Sequence, residues 1–105
     1  MGAPPQLTLE ERRAALAKAA HSRKVRASFK AEIKNGKRHW LDAFNSELDA
    51  IRKMRVKELL QSLPGIGEIR ATNLLDRAGI SQSRRIQGVG KSQYESLLRI
   101  LKEID

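Results

Sequence analysis

The stretch Leu59-Leu60-Gln61-Ser62-Leu63-Pro64-Gly65-Ile66-Gly67-Glu68-Ile69-Arg70-Ala71-Thr72-Asn73-Leu74-Leu75 decides how this chain of 105 residues is read. An apolar helix end runs into Pro-Gly-apolar-Gly, and a second helix starts at once, with small Ala71 near its beginning. Proline halts the first helix because it lacks an N–H and its ring clashes with the preceding turn. Glycine at 65 and 67 permits positive φ and leaves room for a ligand atom beside the backbone. Ile66 plugs such a hairpin into a core, and Ala71 lets two helices cross closely. The second helix opens with free N–H groups facing outward, which is an anion site. A site of this kind reads phosphate and not base edges, so it binds without choosing sequence.

Working outward, a second turn of related form follows 23 residues later, counted from Gly65 to Gly88, in Arg84-Arg85-Ile86-Gln87-Gly88-Val89-Gly90-Lys91-Ser92. Gly-apolar-Gly again precedes a helix, and Leu97 and Leu98 stand where Leu74 and Leu75 stood. The spacing is too short for a solenoid and suits a pair of hairpins. The plain alternative is that each turn is only a tight connection. Glu68 favours that alternative at the first turn, since a carboxylate beside phosphate is repulsive. Lys91 and the upstream arginines make the second turn the better phosphate contact, with Arg84 and Arg85 the groups expected to enter a minor groove. The expected nucleic-acid-facing set is Pro64, Gly65, Ile66, Gly67, Arg84, Arg85, Gly88, Val89, Gly90, Lys91 and Ser92, joined by Arg55, Lys57 and Arg70.

Helix signals cover the rest of the chain. Thr8 followed by Glu11 has the form of a capping box, and Asn35-Gly36 is a natural stop. Between them lies one helix of roughly 27 residues, about 40 Å long. Its second half carries an apolar stripe, Val25-Phe29-Ile33, beside a basic stripe, Arg23-Arg26-Lys30-Lys34. Its first half has no continuous apolar stripe and is expected to project from the body. Trp40, Leu41, Phe44, Leu48 and Ile51, spaced by threes and fours, predict a second helix. Lys53-Met54-Arg55 makes a joint, Val56, Leu59, Leu60 and Leu63 predict a third, and Ile69, Ala71, Leu74 and Leu75 a fourth over residues 68–78, closed by Gly79. Tyr94, Leu97, Leu98, Leu101 and Ile104 predict a last helix from about Lys91 to Glu103. The fold class is all-α: a long basic N-terminal helix over residues 1–36 and a compact helical domain over residues 37–105.

Composition sets the partner class. Lys and Arg number 21 against 12 Asp and Glu, for a net charge of +9. By segment the excess is +5 over residues 1–36, +2 over 37–55, zero over 56–79 and +2 over 80–105. That excess calls for a polyanion: DNA, RNA or an anionic membrane face. The absence of cysteine excludes disulfides, thiol catalysis and thiolate metal sites. His21 and His39 are expected at the surface, and Glu10-Glu11 and Glu47/Asp49 read as solvated helix charges, so neither a catalytic residue, a metal site nor a cofactor is expected. Trp40 and Tyr94 read as packing residues. Aromatics at 4% provide no stacking platform for single strands. No apolar run suits a membrane span and no secretory leader is expected, which points to a soluble cytoplasmic protein.

The order of these features resembles the actinobacterial integration host factor family. The resemblance runs from Pro5-Gln6-Leu7-Thr8-Leu9-Glu10-Glu11-Arg12-Arg13-Ala14-Ala15-Leu16 through Lys53-Met54-Arg55-Val56 and Leu63-Pro64-Gly65-Ile66-Gly67 to Gly79-Ile80 and Arg84-Arg85-Ile86-Gln87-Gly88-Val89-Gly90. It implies a helix-two-turns-helix body, a nucleoid location, and a monomer that binds double-stranded DNA with little sequence preference, bending or compacting it and supporting integration. It further implies that the Pro64–Gly67 backbone holds phosphate and that Arg84 and Arg85 are principal contacts, with neither a small-molecule substrate nor a membrane involved. Two positions depart from the family, which usually carries lysine where Glu68 stands and arginine where Gln87 stands, and residues 37–52 match it poorly. An RNA- or ribosome-associated hairpin module is the alternative class. A lyase or glycosylase is a third, disfavoured because about 65 residues of core cannot easily enclose a flipped base.

Overall fold

Thr8 starts the first helix as expected. The computed structural model describes residues 7–104; the Pro5-Gln6 opening and the inward side chain expected for Ile104 lie outside what is described. Thr8 Oγ1 accepts the Glu11 N–H at 3.0 Å, and Glu10 and Glu11 in the first turn oppose the helix dipole. Helix α1 spans Leu9–Lys34, 26 residues, and Gly36 ends it with φ +76°. Only its second half joins the body. Phe29 and Ile33 are buried and Val25 packs beside them, with the Arg38 guanidinium 4.9 Å from the Phe29 ring centre. Before them nothing is buried: Leu9 is 63% exposed and Leu16 69%.

The helix expected over Trp40–Ile51 does not form as one piece. Trp40–Ala43 is a single 3₁₀ turn, residues 44–48 are irregular, and α2 is the four residues Asp49–Arg52. Local polar side chains compete with the helix ladder here. His39 Nδ1 accepts the Leu41 N–H at 3.1 Å, Asn45 Nδ2 donates to the Leu41 carbonyl at 3.3 Å, and Ser46 Oγ accepts the Leu48 N–H at 3.1 Å. Trp40 and Ile51 still reach the core, but Leu48 is left 56% exposed. The Trp40 ring meets Phe44 edge-on, and Phe44 meets Tyr94 likewise, so both large aromatics are packing residues as the sequence implied.

Helices α3 (Val56–Gln61), α4 (Glu68–Ala78) and α5 (Lys91–Ile104) complete the body. Helix α4 lies between α3 and α5, α1 lies on α2, and α2 meets a short 3₁₀ turn at Ile86–Gly88. Gly79 closes α4 in the left-handed region at φ +70°, the conformation for which glycine has no Cβ penalty. The centre of the core is Ile51, Met54, Val56, Leu59, Leu60, Ala71, Leu75 and Leu97, each fully buried. Ile69, one of the apolar residues that signalled α4, is 80% exposed: two residues before Ala71, it lies on the opposite side of the helix from the buried face. Ile100, not singled out in the sequence, is buried beside Leu97 and Leu101. Among the described residues no strand forms and no buried side-chain polar atom lacks a partner.

Candidate nucleic-acid interface

The first glycine turn is built as expected at three of its four residues. Helix α3 gives way at Ser62, whose hydroxyl bonds back to the Leu59 carbonyl, and Leu63 N–H reaches the Leu60 carbonyl at 3.1 Å. Pro64 then bars continuation, Gly65 takes φ +79°, and the buried Ile66 returns its N–H to the Leu63 carbonyl at 3.2 Å. Gly67 departs from expectation: its φ is −94° and its ψ −168°, extended backbone open to any residue. Glycine at 67 is therefore not needed for the turn. A Cβ built there would meet no atom within 4 Å and would stand in open space above the start of α4. The Gly67 carbonyl accepts the Ala71 N–H at 3.0 Å and no side chain caps this end, so the first N–H groups of α4 face outward among exposed residues.

The second turn shares only part of that plan. Met54-Arg55 and Arg84-Arg85 run antiparallel as an isolated bridge, with Val56 N–H on the Arg84 carbonyl at 3.0 Å and Ile86 N–H on the Met54 carbonyl at 2.9 Å. Ile86 enters the core, the 3₁₀ turn follows, and Val89 is only half-buried. No helix precedes this turn, and neither Gly88 nor Gly90 has positive φ, so the expected second hairpin copy is not one. What recurs is the helix start: the Gly90 carbonyl accepts the Tyr94 N–H at 2.9 Å, as Gly67 does for Ala71. Here Gln93 supplies a cap, accepting the Gly90 N–H at 3.1 Å and donating to the Gly79 carbonyl at 2.8 Å. Gly88 has its own reason. A Cβ on it would lie 3.3 Å from Arg84 Cδ, so its absence lets Arg84 fold over the turn and donate to the Gly88 carbonyl at 3.3 Å.

The bridge assembles the cations. Arg85 Nη1 donates to the Lys53 carbonyl at 2.9 Å, locking the turn to the joint before α3, while both arginines stay exposed. Arg55, Lys57, Glu58, Gln61, Glu68, Gln82 and Ser83 line an open groove of about 500 Å³ between α3, the start of α4 and the 81–85 turn. A second groove of about 430 Å³, on the far side of the Ile86 turn, is lined by Arg52, Gln87, Val89, Gly90, Lys91 and Tyr94 among others. Arg70 leans back toward the Gly65 carbonyl at 3.4 Å, and Ser92 is exposed on the first turn of α5 outside both grooves. Sequence reasoning missed Gln82 and Ser83, and it weighed Glu68 only as a carboxylate repelling phosphate. Glu68 Oε1 also accepts from Lys57 Nζ at 3.2 Å, and a cation and a carboxylate on opposite sides of one tight turn were the available signal. Lys30 and Glu58 form a second pair at 2.6 Å that fastens α1 to α3.

Among the described residues no group of three or more His, Asp or Glu could hold a metal ion, and no helix is long and apolar enough to cross a membrane. Residues 42–101 match the family model described as an S13-like H2TH domain. The integration host factor of Streptomyces coelicolor is 46% identical over 90% of this chain and 91% of its own length. Those of Mycolicibacterium smegmatis and Mycobacterium tuberculosis are 40% and 39% identical at the same coverage. A solved structure described as sIHF bound to an 8 bp palindromic DNA superposes with a TM-score of 0.77 and 42% identity, over 80% of this chain and 97% of that one. With the S13-like H2TH match over residues 42–101, and with identity of this order along nearly its whole length, the chain belongs to the actinobacterial integration host factor family.

Proposed function

We propose that this protein is a non-enzymatic architectural protein of the nucleoid that binds double-stranded DNA through phosphate contacts. The observation that carries the proposal is the shared fold with a relative bound to DNA, at 42% identity over 80% of this chain. The groove between α3, α4 and the 81–85 turn supplies the chemistry. The Pro64–Gly67 turn and the open N–H groups of α4 accept one phosphate. Arg55, Lys57 and Arg84 line the path of the next, and Arg85, anchored on the Lys53 carbonyl, reaches toward the minor groove. Lys91 and Ser92 extend the contact at the start of α5, and Arg70 flanks it at α4. Backbone-directed contacts position a duplex without reading it, so sequence preference is weak, and gripping it from two turns bends it. One chain carries the whole set, so it acts as a monomer, in the cytoplasm.

Replacing Arg84 and Arg85 together by alanine tests this. Removing two phosphate or minor-groove cations is expected to weaken binding at least tenfold on every duplex tried. Unchanged binding by a folded double variant would overturn the assignment. The S13-like character of residues 42–101 supports one rival reading, recognition of duplex RNA. Competition between DNA and RNA duplexes of one sequence decides between them, and preference for RNA would displace the DNA reading.

A further inference from the structure

Lys57 is the best-held cation of the groove, and what holds it has the wrong sign for a phosphate site. Its Nζ donates to Glu68 Oε1 at 3.2 Å and to Gln82 Oε1 at 3.3 Å, so α3, the first residue of α4 and the 81–85 turn converge on one ammonium. The Lys57 side chain is 20% exposed and that of Glu68 74%, so the lysine is fixed by its surroundings while the carboxylate stands free on one side. Glu68 opens an 11-residue helix whose N-terminus lacks a side-chain cap, the place where a negative charge best opposes the helix dipole. The carboxylate thus holds both assets a backbone phosphate would use: the positive end of α4 and the Lys57 ammonium.

We infer that Glu68 is an internal competitor for backbone phosphate, and that duplex binding at the first turn is an exchange in which phosphate takes Lys57 from Glu68. This deepens the proposed function and rests on it. Gln82 is neutral, so it keeps Lys57 aimed into the groove through the exchange without opposing the incoming charge. The consequence concerns ions as well as affinity. A phosphate neutralised by a free lysine releases one condensed cation from the duplex. A phosphate neutralised by a lysine taken from Glu68 leaves an unpaired carboxylate that recruits a cation in return. The first turn therefore adds little to the salt dependence in the natural protein, and binding there is weak and readily reversed.

The test uses the full chain and a mixed-sequence duplex of about 20 bp, titrated at several salt concentrations, with Glu68→Gln, Lys57→Met and the double variant beside the natural protein. Removing one unit charge near the surface is expected to tighten E68Q binding about three- to tenfold at low salt. Its plot of log K against log salt should steepen by about 0.9, one further counterion released. In the Lys57→Met background the same change should give well under half that gain and no steeper slope. Thermal melts verify folding, and Glu68→Thr, with a different side chain at the helix start, must repeat the gain. If the natural protein binds and neither Glu68 variant differs from it in affinity or slope, the exchange is refuted while the proposed function stands. A gain of full size without Lys57 also refutes it. If neither the natural protein nor any variant binds duplex DNA, the proposed function falls and takes this inference with it.

Discussion

Gly65 and Gly67 stand two residues apart in one turn and are glycine for different reasons. Gly65 is at φ +79°, where an alanine Cβ crowds the following carbonyl, although space beyond it is open. Gly65→Ala is expected to destabilise the protein by about 1–2 kcal/mol, read from urea unfolding. Gly67 is extended and its missing Cβ faces open space, so Gly67→Ala should change stability by no more than about 0.5 kcal/mol. Gly67 immediately precedes α4, so in the proposed phosphate site the added methyl group would take space beside the first N–H groups of the helix. Losing one charge-assisted hydrogen bond to phosphate weakens duplex binding by about tenfold. The contrast is diagnostic: a Gly67→Ala protein of natural stability and natural affinity would remove the first turn from the binding site.

At the scale of elements, the sequence was legible wherever a local signal sets structure. Thr8 with Glu11, Asn35-Gly36, Pro64-Gly65 and Gly79 each act within one turn of chain, and α1 and α4 begin and end where these residues stand. Residues 40–51 were misread because the three-four spacing of apolar residues was obeyed by packing but not by one helix; side-chain bonds at His39, Asn45 and Ser46 broke the ladder. The antiparallel pairing of Arg55 with Arg85 was invisible because nothing in either segment names a partner 30 residues away. It is that pairing, more than the glycine repeat, that brings Arg84 and Arg85 to the joint before α3. Helix α1 gives the element-scale prediction. It is held to the body by Val25, Phe29, Ile33 and the Lys30–Glu58 pair, all beyond residue 20, so deleting residues 1–20 should shift Tm by less than about 2 °C. Phe29→Ala, which empties a buried ring site under Arg38, should cost about 3–4 kcal/mol and lower Tm by more than 10 °C on the roughly 4–8 °C per kcal/mol of a domain this size. Differential scanning calorimetry of the two proteins separates an arm from a core helix.

For the whole molecule, measuring 54 × 33 × 25 Å with net charge +9, the proposed duplex binding divides between cations on the α1 arm and cations on the body. About six phosphate contacts predict a slope of log K on log salt near −5, a loss of about 10³ in affinity between 50 and 200 mM salt. The charge map allows two sources for that slope. The α1 arm carries Arg12, Arg13 and Lys18 in its first half, but Glu10 and Glu11 stand beside them, and no part of this half is tied to the body. The cations of the bridge, in contrast, are fixed in place: Arg85 on the Lys53 carbonyl and Arg84 on the Gly88 carbonyl. Fixed cations lose less side-chain entropy on binding than those of a solvated helix, so they should carry most of the contacts. Removing residues 1–20 is therefore expected to reduce the slope by about one or less, whereas the Arg84/Arg85 double variant reduces it by about two. A fall of about three on removing the arm, measured by fluorescence anisotropy across the same salt series, would instead make the first half of α1 the principal grip on DNA.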